Sequence, residues 1–244
     1  MATGTLVGLL AIYRGRLGRQ FTQMGWAGVL ASMIMGVGTI VFVMAIRTTS
    51  VANTLIITGN SPLIAALLSW VWLRERVALR TWLAIAAASV AVVVTVSDNV
   101  SSGAWLGDLY AGFGAILVAL HVVIARSARD VSLVPSVVGG GILAAILVMP
   151  VASPGSLSEA DVVWLLLLGL VVLPVAFALL TLAPRYISAP EVSLIKLLEM
   201  VLGPTWVWLA LSEEPGGAAM VGGGVLLMTL VLHTVAGRRQ LSSR

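Results

Sequence analysis

Apolar runs of about bilayer length follow one another along this 244-residue chain with only short interruptions, and that succession leaves few folds open. We read the runs near residues 1–13 (incomplete), 24–46, 50–73, 79–97, 104–125, 133–152, 160–183, 188–211 and 217–236. About 20 consecutive apolar residues let a helix cross the hydrocarbon core. In lipid every backbone N–H and C=O must be bonded within the protein, so helices and closed barrels are the available solutions. A barrel would need short strands of alternating polarity, which the sequence lacks. The expected fold is an all-α polytopic bundle. Only 10% of residues are charged, against roughly 25% in soluble domains.

The loop charges give an orientation. Alternating sides along the chain gathers Arg14, Arg16, Arg19, Arg74, Arg76, Arg80, Arg126, Arg129, Arg185, Arg238, Arg239 and Arg244 on one side. The other side receives Arg47 as its only base, with Asp98, Asp108, Glu159, Asp161, Glu213 and Glu214. Arg-rich loops stay in the cytoplasm, which places the C-terminus inside and the protein in a cell membrane as a multi-pass chain. Arg-, Ala- and Val-rich usage suggests GC-rich bacterial coding and hence the cytoplasmic membrane. The basic residues are scattered, so the net charge of +4 does not point to nucleic acid. There is no cysteine, which excludes disulfides and thiolate chemistry.

The chain also repeats itself. A shift of 138 residues superimposes Trp26 on Trp164, Arg47 on Arg185, Trp70 on Trp208 and Glu75 on Glu213. Those residue types are rare here, so their coincidence carries more weight than matches of Leu or Ala. The step covers five spans. Five is odd, so the second copy would enter the membrane inverted, as in many secondary transporters. Residues 1–100 would be the first repeat and 101–244 the second. The second begins near Ala104, so its counterpart would begin before Met1, and the first repeat is expected to be short of its first span and part of the next.

Polar residues inside two repeat-related spans are the candidate site. Lys196 and Glu199 sit near the middle of the run 188–211, where a charge costs roughly 2.5–3.5 kcal/mol on insertion scales unless it faces a partner or a wet cavity. With Glu191 they fall within an arc of about 140° on a helix. In the other span Asn53, Thr58, Asn60 and Ser61 share an arc of about 160°. Asn53 aligns with Glu191, Thr58 with Lys196 and Ser61 with Glu199. These faces would wall a central cavity. Lys196 would hold a carboxylate, and Glu199 an amine or a proton. The plainer alternative is a self-compensating Lys196–Glu199 pair that only packs its helix. Asn60 and Ser61 could equally be hydrogen-bonding glue between helices.

Other features are weaker. Pro62, Pro174 and Pro204 lie inside spans and would bend them, as hinges or as static kinks. Gly139-Gly-Gly141 and Gly222-Gly-Gly224 are expected to allow close helix packing. His121 and His233, in separate spans, could form a proton relay but more commonly would be interfacial or packed, and no zinc spacing accompanies them.

The motifs Ala45-Ile-Arg-Thr-Thr-Ser-Val-Ala52, Ser61-Pro-Leu-Ile-Ala-Ala66 and Leu73-Arg-Glu-Arg76, with second copies in Ala183-Pro-Arg-Tyr-Ile-Ser188, Leu198-Glu-Met200 and Leu211-Ser-Glu-Glu214, resemble the EamA-like members of the drug/metabolite transporter superfamily. Met200 departs from the proline usual after the mid-helix glutamate, and Pro204 could supply the bend instead. The resemblance implies a ten-span inner-membrane carrier of two five-helix repeats, mostly an exporter of amino acids, other metabolites or drugs. Its expected partners are membrane lipid, a small-molecule substrate and protons; a homodimer is allowed, and no cofactor or metal is implied. No GxxxxGK[ST] loop is present, which argues against ATP drive. Two rivals stay open: a non-transporting or degenerate membrane scaffold, and a membrane-embedded enzyme. The enzyme would need an acid, base and nucleophile at one depth, and the sequence does not supply that set.

Overall fold

The structure is a computed structural model. It describes residue 4 and residues 21–74, 79–102, 105–128, 131–152, 155, 157–186, 202–203, 205–210, 212 and 216–242. About 90% of it is helical, and no strand occurs among the described residues. The helices are α1 (Gly25–Thr48), α2 (Val51–Thr58), α3 (Ser61–Leu73), α4 (Leu79–Ser102), α5 (Trp105–Ser127), α6 (Pro135–Val148), α7 (Glu159–Leu167), α8 (Leu173–Tyr186) and α9 (Gly217–Ser242). Among the described residues four stretches are long and apolar enough to cross a membrane: Gly25–Thr48, Val51–Trp72, Trp105–Ser127 and Glu159–Leu179. The shorter apolar helices are Thr81–Val94, Pro135–Val151 and Met220–Thr229.

Large apolar side chains are exposed on nearly every helix. Trp26, Trp72, Leu83, Val93, Leu109, Trp164, Leu179 and Leu209 are examples. On a soluble monomer such surface would be an aggregation hazard. On a helix whose backbone bonds are all internal it is the surface that lipid solvates. The structure is thus an all-α membrane bundle, as the apolar runs predict.

The chain divides into two compact units, one of residues 1–40 and 124–186 and the other of residues 41–123 and 187–244. In the first, small residues set the packing. Ser32 and Gly36 on α1 meet Gly139 and Gly140 on α6 so closely that a Cβ on Gly36 would lie 2.8 Å from the Gly140 carbonyl oxygen. One on Gly139 would lie 2.5 Å from Ser32 Oγ. Ala31, Ile124 and Leu133 form a buried cluster beside them. The predicted span 160–183 appears as α7, a π-helical turn at Leu168–Val172, and α8. Pro174, in the first turn of α8, gives a reason for the wide turn. It has no N–H for the carbonyl four residues back, and its ring pushes that carbonyl away. Upstream, Ser158 caps α7 in a reciprocal box: the Asp161 N–H donates to Ser158 Oγ at 3.2 Å, and the Ser158 N–H donates to Asp161 Oδ2 at 3.1 Å.

In the second unit α2, α3, α4, α5 and α9 pack through small residues facing larger ones. Ile56 and Leu63 sit against Ala84, Ala88, Ala91 and Leu226. Ile57 sits against Ala45 and Ala111. Ala65 meets Ala119 and Val123. Alanine on one helix lets its neighbour approach closely, which helps hold helices together where the hydrophobic effect is absent. Trp70 and Trp82 make an edge-to-face pair with ring centroids 5.0 Å apart. The glycine triplet at 222–224 is used as expected at one position: a Cβ on Gly223 would lie 3.1 Å from Ile56 Cδ1.

Two non-glycine residues among those described have left-handed backbones, Arg74 (φ 52°) and Ser212 (φ 55°). Arg74 ends α3, its N–H donating to the Ser69 carbonyl. The Ser212 N–H donates to the Trp208 carbonyl at 3.0 Å. They stand 138 positions apart, the interval of the sequence repeat.

Candidate functional site

The predicted span 50–73 is two helices. Ser50 starts the first of them: its Oγ accepts from the Asn53 N–H at 3.0 Å. Along α2 two threonines turn their hydroxyls back onto the helix. Thr54 Oγ1 donates to the Ser50 carbonyl at 3.0 Å and Thr58 Oγ1 to the Thr54 carbonyl at 2.7 Å. Such back-bonding bends a helix slightly and hides a hydroxyl from an apolar surrounding. The ladder runs on only through Gly59, whose N–H donates to the Leu55 carbonyl at 2.8 Å. The Asn60 N–H reaches only to the Ile57 carbonyl, at 3.2 Å, and the Leu63 N–H to the Asn60 carbonyl, at 3.1 Å. Pro62 opens α3 at a position where a missing N–H is tolerated.

Three of the six expected site residues, Thr58, Asn60 and Ser61, lie at or next to this break, and Asn53 is in the first turn of α2. Asn53 and Ser61 are buried, 6% and 4% exposed. Thr58, already bonded to its own helix, is half-buried, as is Asn60. The side-chain oxygen of Asn60 is buried and has no hydrogen-bond partner among the described residues. Asn60 stands at the N-cap of α3 yet makes no side-chain cap bond. Lys196 and Glu199, with Glu191 and Pro204, lie outside the described residues. Just beyond Glu199, Gly203 approaches α2: a Cβ there would lie 2.8 Å from Leu55 Cδ1.

Two buried polar groups fall outside the sequence expectation. Asp108, read from sequence as a loop charge, is 5% exposed in the first turn of α5. Its Oδ1 accepts from Thr49 Oγ1 at 2.9 Å. Beside it, Gly107 lets the α1–α2 connection come into contact with the α5 backbone, since a Cβ on Gly107 would lie 2.5 Å from the Thr49 amide nitrogen. The sequence signal was available: a lone acid three residues into an apolar run that opens at Trp105. His121, within α5, is 9% exposed, and neither ring nitrogen has a hydrogen-bond partner among the described residues. The side chain of His233 lies outside the description. His121→Leu should therefore raise the melting temperature of the purified protein by several degrees, because an unmet buried polar group costs about 1–3 kcal/mol. A fall in melting temperature would mean that the ring is bonded in the folded protein.

The arrangement is that of a polytopic α-helical membrane protein with an interrupted span and polar groups gathered at the interruption. Residues 1–97 match the model of the EamA-like transporter family, in agreement with the drug/metabolite transporter resemblance of the motifs. Members of that family are transporters rather than enzymes, and the match supports a membrane transporter in general terms, with a lipid environment and a small-molecule substrate. No curated protein matches the sequence. A solved structure, described only as a crystal structure of a protein, matches over 98% of this chain and 86% of its own with a TM-score of 0.64. At 19% identity that likeness is one of fold alone.

Proposed function

We propose that the protein is a secondary active transporter that exports a small metabolite, an amino acid, an organic acid or a drug-like compound, by alternating access coupled to protons. The match of residues 1–97 to a family of transporters carries this reading. In it, residues 1–100 and 101–244 are inverted repeats in the cytoplasmic membrane, with the C-terminus inside. The paired left-handed helix ends at Arg74 and Ser212 support the repeat. The approach of Gly203 to Leu55 supports a shared wall between the two repeat-related spans. Lys196 and Glu199 on one span, and Asn53, Thr58, Asn60 and Ser61 on the other, would line the substrate path. A carboxyl near mid-membrane binds a proton more readily than one in water, so Glu199 suits proton loading and unloading.

Comparative efflux tests this. Cells expressing the chain and cells expressing Glu199→Gln at equal membrane levels are profiled for internal and external metabolites, with and without a protonophore. The expected result is one class of solute that leaves faster with the wild type, loses at least tenfold of that excess rate with Glu199→Gln, and slows with the protonophore. No difference for any solute, from a well-inserted protein, would favour a non-transporting scaffold.

A further inference from the structure

The corner where α3 turns into α4 gathers tryptophan and arginine. Trp70 near the end of α3 and Trp82 in the first turn of α4 make the edge-to-face pair, so two rings bridge the helices at a fixed point. Val71, beside Trp70, is 65% exposed. On α4, Leu79, Trp82 and Leu83 fall three and four positions apart, which puts them on one face, and all three are exposed. Arg74, also exposed, ends α3 four residues beyond Trp70, about 6 Å further along the axis. In sequence, residues 74–80 hold three arginines and one acid, Glu75; Glu75 and Arg76 lie outside the described residues. Indoles in a membrane protein settle at headgroup level, and a cation one turn outward of them is placed to meet lipid phosphate.

The second copy supplies a comparison inside the same chain. One repeat interval on, Trp208 stands at the place of Trp70, Leu209 at that of Val71, and Ser212, left-handed like Arg74, at that of Arg74. Trp208 and Leu209 are exposed too, Leu209 at 67%. Yet Met220 takes the place of Trp82, and residues 212–218 hold two acids and no base. The two corners share an apolar frame and differ in charge and in the ring pair.

We propose that the α3–α4 corner binds an anionic phospholipid, its phosphate held at Arg74 and its acyl chains lying on Val71, Leu79, Leu83 and the tryptophan pair. The proposal does not depend on the transporter reading. Charge complementarity selects the occupant: a zwitterionic lipid brings an ammonium that an arginine-rich turn repels. A soluble phosphate would meet Arg74 but leave the exposed apolar strip uncovered. Topology alone explains arginines on one side and tryptophans at the interface, each separately. It gives no reason for two rings locked across the helices just inward of the charges.

The natural absence of cysteine allows a site-specific test. The full chain carrying Val71→Cys, and separately the chain carrying Leu209→Cys as the matched reference, is labelled with a nitroxide-quenched fluorophore and reconstituted in phosphatidylcholine vesicles. A minor fraction of nitroxide-labelled phosphatidylglycerol or phosphatidylcholine is present in both leaflets, so protein orientation does not matter. Quenching titrations give the preference for phosphatidylglycerol over phosphatidylcholine at each position. The expected preference at position 71 is at least about fivefold above that at 209, the worth of one cation beside an anionic lipid. Arg74→Asn should lower it at least about twofold. Asparagine tolerates a left-handed backbone, so the helix end is kept while the charge is removed. Arg74→Lys should hold the preference, and added salt should weaken it. Glycerol phosphate, which has the anion without the chains, should not displace the labelled lipid. Equal preferences at 71 and 209, or a preference at 71 indifferent to both Arg74→Asn and salt, would overturn the site. Displacement by glycerol phosphate as readily as by unlabelled phosphatidylglycerol would show a site for soluble phosphate and overturn it as well.

Discussion

Gly107→Val should leave little folded protein after extraction. The added Cβ would lie 2.5 Å from the Thr49 nitrogen and 2.7 Å from the Thr48 carbonyl carbon, both backbone atoms that cannot swing aside. The α1–α2 connection must then lift off α5. That lift breaks the Thr49–Asp108 hydrogen bond and disturbs Ser50, the cap of α2. Overpacking of this kind costs about 1–3 kcal/mol. Loss of a partner for a buried acceptor adds about 1–3 kcal/mol. Neighbouring effects do not simply add, but the total is a large part of the roughly 5–15 kcal/mol that separates folded from unfolded chains. The measurement is the monodisperse fraction on size exclusion, with the melting temperature of what survives. Thr49→Val removes the hydrogen bond without the clash and should cost less. If Gly107→Val melts within a degree of wild type, the close approach is not real.

Gly36→Leu should be the second strong lesion. A Cβ at that position would lie 2.8 Å from the Gly140 carbonyl oxygen and 3.1 Å from the Leu143 side chain, so a leucine would force α1 and α6 apart. Ser32 cannot readily make room one turn away, because its hydroxyl is bonded to the Gly28 carbonyl at 2.8 Å. Between membrane helices, packing and hydrogen bonds hold the pair, so separation forfeits most of the attraction. We expect a loss of about 1–3 kcal/mol, and Gly36→Ala should fall between leucine and wild type. Cross-linking yield between cysteines placed on α1 and α6 reports the separation directly. An unchanged yield with leucine at position 36 would show that the contact is loose.

Most of the bundle was legible because apolar length is a coarse signal that survives ignorance of packing. The runs near 24–46 and 104–125 became α1 and α5 with ends moved by only a few residues. The proline bends were legible in place but not in form. Pro62 appeared as a full interruption two residues earlier, and Pro174 as a π-helical turn upstream. The form depends on which carbonyls find new donors, and that is decided by three-dimensional packing. Asp108 was misplaced for a related reason: a charge at the edge of an apolar run looks like loop until a threonine on another segment is seen to hold it. The polar faces of the run 188–211 remain a sequence reading, because Lys196 and Glu199 are outside the described residues.

The interrupted span also bears on how the chain enters the bilayer during synthesis. Of the four stretches long enough to cross, Val51–Trp72 is the least apolar, and it is broken at its centre. Such a segment partitions poorly from the translocon by itself. Only Thr49 and Ser50 separate it from α1, a longer and greasier helix made just before it. The two are therefore suited to leave the translocon as a hairpin, with α1 carrying its weaker successor into lipid. The polarity that a site requires would then be tolerated in biogenesis because of the helix that precedes it.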